Sequence, residues 1–111
     1  MARTILVCGA MLLATTALAH AERICDIEKR VAKLNDGDPL TVTGRIAKAH
    51  GPNDFEVYSY DIADNCGAIY AGHDKPIQCR GAVTINGKFD AEESIGKFGD
   101  IAIWVTSYRC Q

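Results

Sequence analysis

Histidine and carboxylate side chains supply most of the reactive groups of this 111-residue chain, and their spacing limits what they can do. His50 and His73 lie roughly 20 residues apart, without the close His, Cys and carboxylate spacing of a zinc site. His73 precedes Asp74, which could orient the imidazole as a general base, but such a pair in a polar loop is more typical of a solvated histidine. The sequence therefore predicts no metal site, no cofactor and no catalytic residues.

Two further carboxylates, Asp61 and Asp64, lie close together just before Cys66. Oxygen ligands of this kind could hold a hard cation. Aspartate is also a preferred residue of turns, where its side chain accepts hydrogen bonds from the backbone two or three residues further on. We interpret the two residues as turn and strand-end acids.

The N-terminal segment 1–21 has the pattern of an export signal. Arg3 gives a positive start, residues 5–19 form an uncharged apolar stretch, and small residues offer cleavage after Ala19 or after Ala21. The apolar stretch is too short for a membrane span. We therefore expect a periplasmic or secreted protein with one domain of roughly 90 residues.

The full chain carries no excess of basic residues, since its formal net charge is -2 at pH 7 and its lysines and arginines are scattered among acids. A domain that binds nucleic acid through phosphates normally shows a basic excess or a basic stripe. Nucleic acid is therefore not the expected partner. We expect a monomer that binds a small ligand, an oligosaccharide or a protein.

Hydrophobic spacing divides the mature chain into one helix, within 22–37, and a β domain, 38–111. Ile24, Ile27, Val31 and Leu34 recur at helical spacing. From residue 40 the period changes to two, which is typical of half-buried strands. The predicted strands are 40–46, 55–62, 68–72, 82–89 and 101–108. Loops 47–54 and 90–99 connect them, and the second contains the acidic segment 90–94.

Two predicted strands contain an internal glycine, Gly44 in the first and Gly87 in the fourth. A glycine inside a strand usually marks a bulge or a sharp bend, which a small barrel needs at its corners. The pair Asn86-Gly87 could instead form a two-residue hairpin turn.

Four cysteines remain after the leader, which contains Cys8, is removed, and an even number suits two disulfides. If strands four and five form a hairpin, the hydrophobic pattern places Ile85 opposite Ile103 and Val83 opposite Val105. Residues 79 and 110 then meet beyond the open end of the hairpin. We favour the disulfides Cys25–Cys66 and Cys79–Cys110, among three possible connectivities.

Five short strands with internal glycines predict a mainly β fold, a five-stranded Greek-key barrel of the OB type, with a short N-terminal helix and two disulfides. The segments 40–46, 81–89 and 108–110 carry a resemblance to the small exported bacterial OB-fold proteins of the anticodon-binding-type group. The resemblance covers roughly residues 38–110. It implies the fold and brings no catalytic residues.

OB folds tend to bind ligands on the face of strands two and three and on the flanking loops. Aromatic side chains on that face could stack on sugars or bases. The predicted binding residues are Arg45, Tyr58, Tyr60, Tyr70 and His73. The same tyrosines could instead fill the barrel, with their hydroxyl groups at its rim. Strand two does not decide between these alternatives, because Phe55 and Val57 lie on its other face and are equally plausible core residues.

The sequence thus predicts a non-enzymatic, exported binding module that acts through the face of strands two and three. A structural or inhibitory protein-interaction module that acts through the acidic segment 90–94 is the alternative. A glycan-binding module like the toxin B subunits is disfavoured, because the stretch between strands three and four is too short for the helix that those proteins have.

Overall fold

The computed structural model of the protein describes residues 20–97 and 101–111. In this part of the chain a helix, α1 (Ile24–Lys29), and one 3-10 turn (Val31–Lys33) precede the strands. The elements that follow are β1 (Pro39–Pro52), β2 (Tyr58–Ala63), β3 (Ala68–His73), β4 (Ala82–Phe89), α2 (Ala91–Lys97) and β5 (Ala102–Cys110). The predicted export signal falls, up to residue 19, outside the described residues.

The strands form a closed barrel in the order β1-β2-β3-β5-β4. All neighbours are antiparallel except β3 and β5, which run parallel with Tyr70 beside Ala102. Because β4 returns to lie beside β1, the order β4-β1-β2-β3 is that of a Greek key. The predicted mainly β fold class, a five-stranded OB-fold barrel with a short N-terminal helix, is confirmed.

Strand β1 is longer than predicted, because bends allow one strand to belong to two sides of the barrel. Its first half pairs with β4 and its second half with β2, with bulges between Ile46 and Lys48 and between Ala49 and Gly51. Residues 47–52, expected in a loop, therefore belong to the strand. At Gly44 an added Cβ would lie 2.5 Å from the carbonyl oxygen of Ala63, so only glycine allows this close approach.

Gly87 lies in a continuous β4, opposite a bulge at Thr106 of β5. The register between β4 and β5 shifts between Asn86 and Gly87, while β4 continues to pair with β1 on its other side. An added Cβ at Gly87 would collide with the Ile103 side chain and the Trp104 carbonyl group. The bulge interpretation is confirmed, and the alternative of a hairpin turn at Asn86-Gly87 is wrong.

The predicted register of β4 and β5 is wrong. Ile103 pairs with Phe89 rather than Ile85, and Val105 pairs with Gly87 rather than Val83. The connection between β4 and β5 is longer than the predicted register requires. The pairing ends where the Asp90 backbone N–H donates to the Ala102 carbonyl oxygen at 2.9 Å. The two registers differ by an even number of residues at this end of the hairpin, so the same side chains still point inward and the hydrophobic pattern cannot distinguish them.

The barrel interior is filled by aliphatic side chains from every strand and from α1, all almost fully buried: Ile24, Ile27, Leu40, Val42, Ile62, Ile69, Val83, Ile85, Ile101, Ile103 and Val105. Phe55, a candidate core residue, is 86 % exposed and precedes β2, which begins only at Tyr58. The interpretation of Phe55 as a core side chain is therefore wrong.

Both favoured disulfides are present, Cys25–Cys66 and Cys79–Cys110. The first joins α1 to the turn between β2 and β3. The predicted N-terminal helix is interrupted at Arg30, whose φ of -118° and ψ of 12° leave the helical region. The helix that remains buries Ile24 and Ile27 against the core.

Candidate functional site

The predicted row of tyrosines on β2 faces the barrel interior. Tyr60 is 5 % exposed, and its hydroxyl oxygen accepts the backbone N–H of Ile77 at 2.7 Å. Tyr58 has the same parity and packs, partly buried, against the core. The question that the sequence left open is therefore decided in favour of the core, and the Tyr60 ring is not available to a ligand.

Tyr70 lies on the opposite, outer face of the sheet. It pairs with Asp61 across β2 and β3, while Tyr60 pairs with the buried Ala71. The Tyr70 ring centroid lies 6.0 Å from that of His50. The three predicted tyrosines consequently do not form one surface, and only Tyr70 belongs to the outer face.

His73 and Arg45 lie apart from Tyr70. The Nδ1 of His73 forms a 3.1 Å hydrogen bond with the Val105 carbonyl oxygen, and its side chain is 15 % exposed. Arg45 is exposed on β1, where it pairs with Ala63 and with Ala82. Neither residue lines the cleft that the outer face of β3 and β5 forms.

This cleft has a volume of about 200 Å³. Trp104 of β5 lines it and lies beside Gly72 of β3 in the parallel pairing. A Cβ added at Gly72 would be 3.5 Å from the indole ring, so the missing side chain leaves room next to the ring. Trp104 is 36 % exposed and is the single tryptophan of the chain. Among the described residues, the cleft is lined by Asn53, Val57, Tyr70, Gly72, Asp90, Glu93, Ala102, Ile103 and Trp104.

One wall of the cleft is the loop between β1 and β2. The Asn53 side-chain oxygen accepts the backbone N–H groups of Phe55, at 2.8 Å, and Val57, at 3.0 Å. Glu56 has a φ of 61°, a left-handed conformation that non-glycine residues rarely adopt. These constraints place Val57 at the cleft and expose Phe55 to solvent beside it.

The opposite wall is the start of α2. Asp90 accepts the Glu93 backbone N–H at 3.1 Å, which is the hydrogen bond of a helix N-cap. The buried Ser94 hydroxyl group donates to the Asp90 carbonyl oxygen at 2.7 Å and accepts the Ala102 N–H at 2.8 Å. The acidic segment, predicted as part of a loop, is therefore a capped helix that is fixed to β5.

This wall also joins two surfaces that the sequence predicts as alternatives. Asp90 and Glu93 of the acidic segment line the same cleft as Tyr70 of the predicted sheet face. Sequence reasoning missed Trp104, Val57 and Asn53. The alternation of Ile103, Trp104 and Val105 was a usable signal for Trp104, because it places the indole on the outer face.

The carboxylates Asp61 and Asp64 have separate roles. Asp61 lies 3.0 Å from the Nε2 of His50. Asp64 accepts N–H groups of its own turn, from Cys66 at 2.8 Å and Gly67 at 3.0 Å, which confirms the interpretation of Asp64 as a turn acid. It also accepts the Ile24 N–H of α1 at 2.8 Å.

The pKa of Asp64 reflects these contacts. Burial raises the pKa of the carboxyl group, but the three backbone donors and the positive charge of Arg23 outweigh burial. The pKa therefore lies below its ordinary value of 3.8. The ionised Asp64 side chain stabilises the junction between α1 and the β2–β3 turn.

Within residues 20–97 and 101–111, no group of three or more His, Cys, Asp or Glu side chains gathers in a metal-binding arrangement. No helix in this part of the chain has the length and apolar character needed to span a membrane. In comparisons with known proteins, no family model matches the chain, and no curated protein is significantly similar to it.

Proposed function

We propose that the protein is an exported, non-enzymatic OB-fold module that binds a ligand in the cleft around Trp104. Export is supported by the signal pattern of residues 1–21 and by the two disulfides, which persist in oxidising compartments such as the periplasm or the cell exterior. A place among the small exported bacterial OB-fold proteins remains a prediction from the resemblance.

The observation that carries this proposal is the partly exposed Trp104, which lies beside Gly72 in a concave part of the β3–β5 surface. OB folds use the face of strands two and three together with the loops that follow strands one and four. The cleft shares part of this region, since its walls are the β1–β2 loop and the start of α2, although β3 and β5 rather than β2 and β3 supply its strand residues. Aromatic rings in such clefts supply stacking contacts to flat ligands or to cations.

The assignment as a binding module rather than an enzyme is supported by the state of the cysteines. The four described cysteines are joined in disulfides and cannot act as thiolate nucleophiles.

A two-dimensional NMR screen of the oxidised protein tests the proposal, with the Trp104 indole N–H signal as the reporter. The probes are short oligonucleotides, oligosaccharides, alkylammonium ions and divalent metals. Gly72→Leu fills the space beside the indole, whereas Gly72→Ala adds only a methyl group in ordinary contact with the ring. We expect one probe class to shift the Trp104 signal in the wild type and in Gly72→Ala, but not in Gly72→Leu.

The proposal fails if no probe class shifts the signal, or if the same shift persists in a folded Gly72→Leu variant. The spectrum of each variant, recorded without a probe, shows whether the barrel remains folded.

A protein-interaction module is the second candidate, and one specific observation favours it. Among the described residues, the exposed large hydrophobic side chains are Phe55 and Trp104. Trp104 lines the cleft and Phe55 belongs to the loop that forms one of its walls, and exposed aromatic residues often anchor protein partners. The acidic segment 90–94 would then contribute charge to the interface.

Substitution at position 55 distinguishes the two candidates. Phe55→Ser removes the rim anchor but leaves the space beside Trp104 unchanged. A pull-down from the native compartment that loses its partner with Phe55→Ser, but keeps it with Gly72→Leu, would support the protein-interaction module. The opposite pattern would support a small ligand in the cleft.

A further inference from the structure

The fold leaves three arginines without a carboxylate partner. Arg23 and Arg30 form ion pairs with carboxylates in or next to α1. The other arginines in the described part of the chain are Arg45, Arg80 and Arg109, and all three are exposed. None of these three forms an ion pair or a side-chain hydrogen bond with the residues that the structure describes. Their guanidinium donors are therefore open to a binding partner.

Strand pairing brings the same three arginines to one end of the outer face of β1, β4 and β5. Arg45 and Arg109 pair with β4 from its two sides, at positions two residues apart. Neighbouring strands lie about 4.8 Å apart and alternate residues of a strand about 7 Å apart, so their Cα atoms are separated by about 12 Å. Arg80 comes just before β4, and the disulfide Cys79–Cys110 joins its segment to the end of β5. Three arginines that are far apart in the sequence thus lie together.

The strands that carry this face contain no acidic residue. No residue of β1, β4 or β5 is an aspartate or a glutamate. Asp64 follows the β2 partner of Arg45, but its carboxylate already accepts three backbone N–H groups. The carboxylate of Gln111, where the sequence ends, also lies at this end of the face and forms no ion pair with the arginines. The arginines therefore outnumber the acids here, although the whole chain is formally negative.

Hydroxyl and amide side chains continue the face from the arginines along the strands. The hydroxyl groups of Thr43 and Thr84 share a hydrogen bond of 2.8 Å. In the next row, the Thr41 hydroxyl group donates to the Asn86 side-chain oxygen at 2.9 Å, and the Asn86 amide donates to the Ser107 hydroxyl group at 3.2 Å. These bonds fix two rows of polar groups about 7 Å apart. Such rows suit the hydroxyl groups of a sugar chain, which donate and accept hydrogen bonds.

We propose that this arginine face, the three arginines together with the two polar rows, binds an acidic polysaccharide. The guanidinium groups bind its carboxylates through paired N–H donors, and the polar rows bind its hydroxyl groups. A nucleic-acid strand fits less well, because its bases need aromatic rings to stack on and Tyr108, beside Arg109, packs against the core. Arg109 lies about 17 Å along β5 from Trp104, so the inference does not rest on the function of the cleft.

Titration with hexagalacturonate, followed by two-dimensional NMR, tests the ligand class. The protein is expressed with its own leader and purified in the oxidised form. The control ligand is the fully methyl-esterified hexamer, which keeps the sugar chain and removes its charges. At low salt we expect the acid to bind at least about tenfold more tightly than the ester, with shifts at Thr84 and Asn86. Binding of the acid should weaken as salt is added.

Charge-removing variants show whether the arginines are responsible. Arg45→Gln and Arg109→Gln should each weaken hexagalacturonate binding about three- to fivefold, and the double variant about tenfold or more. Lys29→Gln is the control, because it changes the net charge equally on α1, where Lys29 pairs with Asp26. Binding should be unchanged in this control. The spectrum of each variant without ligand shows whether the barrel remains folded.

Several results would overturn the proposal. These are no binding of hexagalacturonate at low salt, equal binding of the acid and its ester, or unchanged binding in the folded double variant. A thymidine heptanucleotide carries the same number of charges, and tighter binding of this oligonucleotide than of hexagalacturonate would assign the arginine face to nucleic acid instead. The Trp104 indole signal reports on the cleft in the same spectra, so each of these results leaves the function proposed for the cleft intact.

Discussion

Replacement of Asp64 by asparagine tests how α1 is fixed to the barrel. The Asp64 carboxylate accepts two N–H groups of its own turn through Oδ1 and the Ile24 N–H through Oδ2. Asparagine keeps one acceptor oxygen and replaces the other with a donor. One of the two sets of N–H groups must then face an NH2 group, and the bond that remains is no longer charge-assisted.

The expected loss of stability follows from these contacts. A hydrogen bond to a charged group contributes about 1.5–3 kcal/mol, and the half-buried position of Asp64 places it in the lower part of this range. We expect Asp64→Asn to reduce the free energy of unfolding by about 2 kcal/mol. For a domain of this size the melting temperature should fall by roughly 8–16 °C.

The loss of stability should depend on pH in a defined direction. The folded-state pKa of Asp64 is lower than its ordinary value of 3.8, so the contribution of the carboxylate is fully present above that value. It is lost as the pH falls below 3.8 through the folded-state pKa. The stability difference between wild type and variant should therefore be largest near neutral pH and decline below about pH 4.

Urea unfolding of the oxidised protein at several pH values measures this difference. Asp54→Asn, at an exposed turn position, serves as the control and should change stability little at any pH. A loss below about 0.5 kcal/mol in Asp64→Asn would refute the reasoning. A loss that is equal near pH 7 and near pH 2.5 would refute its electrostatic part.

Three further substitutions test the barrel itself. Tyr60→Phe should cost about 1–3 kcal/mol in urea unfolding, because the buried Ile77 N–H loses its acceptor; an unchanged unfolding midpoint would contradict this role. Gly87→Ala should cost about 3 kcal/mol or more, or prevent folding, because its Cβ would collide with β5; wild-type thermal stability would show that the strands can separate there. Replacing Cys79 and Cys110 together by alanine should cost about 3.5–4 kcal/mol on the chain-entropy account, measured against the oxidised wild type, and a loss below about 1 kcal/mol would exclude that account.

The Gly87→Ala experiment has a matched control within the chain. A Cβ at Gly81 would meet nothing within 4 Å, and Gly81 has no positive φ. Gly81→Ala should therefore be neutral or slightly stabilising. A similar loss at both positions would mean that strand flexibility, rather than the collision with β5, explains the effect.

Local patterns were enough to predict the fold class, and the disulfides that stabilise it were also predicted. Alternating apolar residues identified β4 (Ala82–Phe89) with its observed bounds and placed Val42, Val83 and Ile85 in the interior. Glycine inside β4 predicted a bulge. These predictions succeeded because backbone conformation and side-chain alternation depend on neighbours within a few residues.

The register between β4 and β5 shows where local pattern fails. Ile103 faces inward whether it pairs with Ile85 or with Phe89, so burial alone cannot select the partner. The selection depends on α2, whose segment was predicted as a loop, and on the Ser94 hydrogen bonds that fix α2 to the start of β5.

The candidate site was predicted only in part. The cleft shares β3 with the predicted face of strands two and three, but Tyr60 and Tyr58 point into the barrel, and Trp104, which lines the cleft, was not predicted. The exposed Phe55 was also unexpected. Its position depends on the hydrogen bonds of Asn53, which turn the chain before β2 begins.

The sequence by itself determined the export signal pattern, the five-stranded barrel and the cysteines that form its disulfides, because each of these depends on composition or on short-range periodicity. Only the tertiary structure decided which outer side chains meet. Trp104 lies beside Gly72 because β3 and β5 pair in parallel, although the two residues are far apart in the chain. Strand periodicity specifies the face on which a side chain lies, whereas its neighbours on that face follow from topology and register.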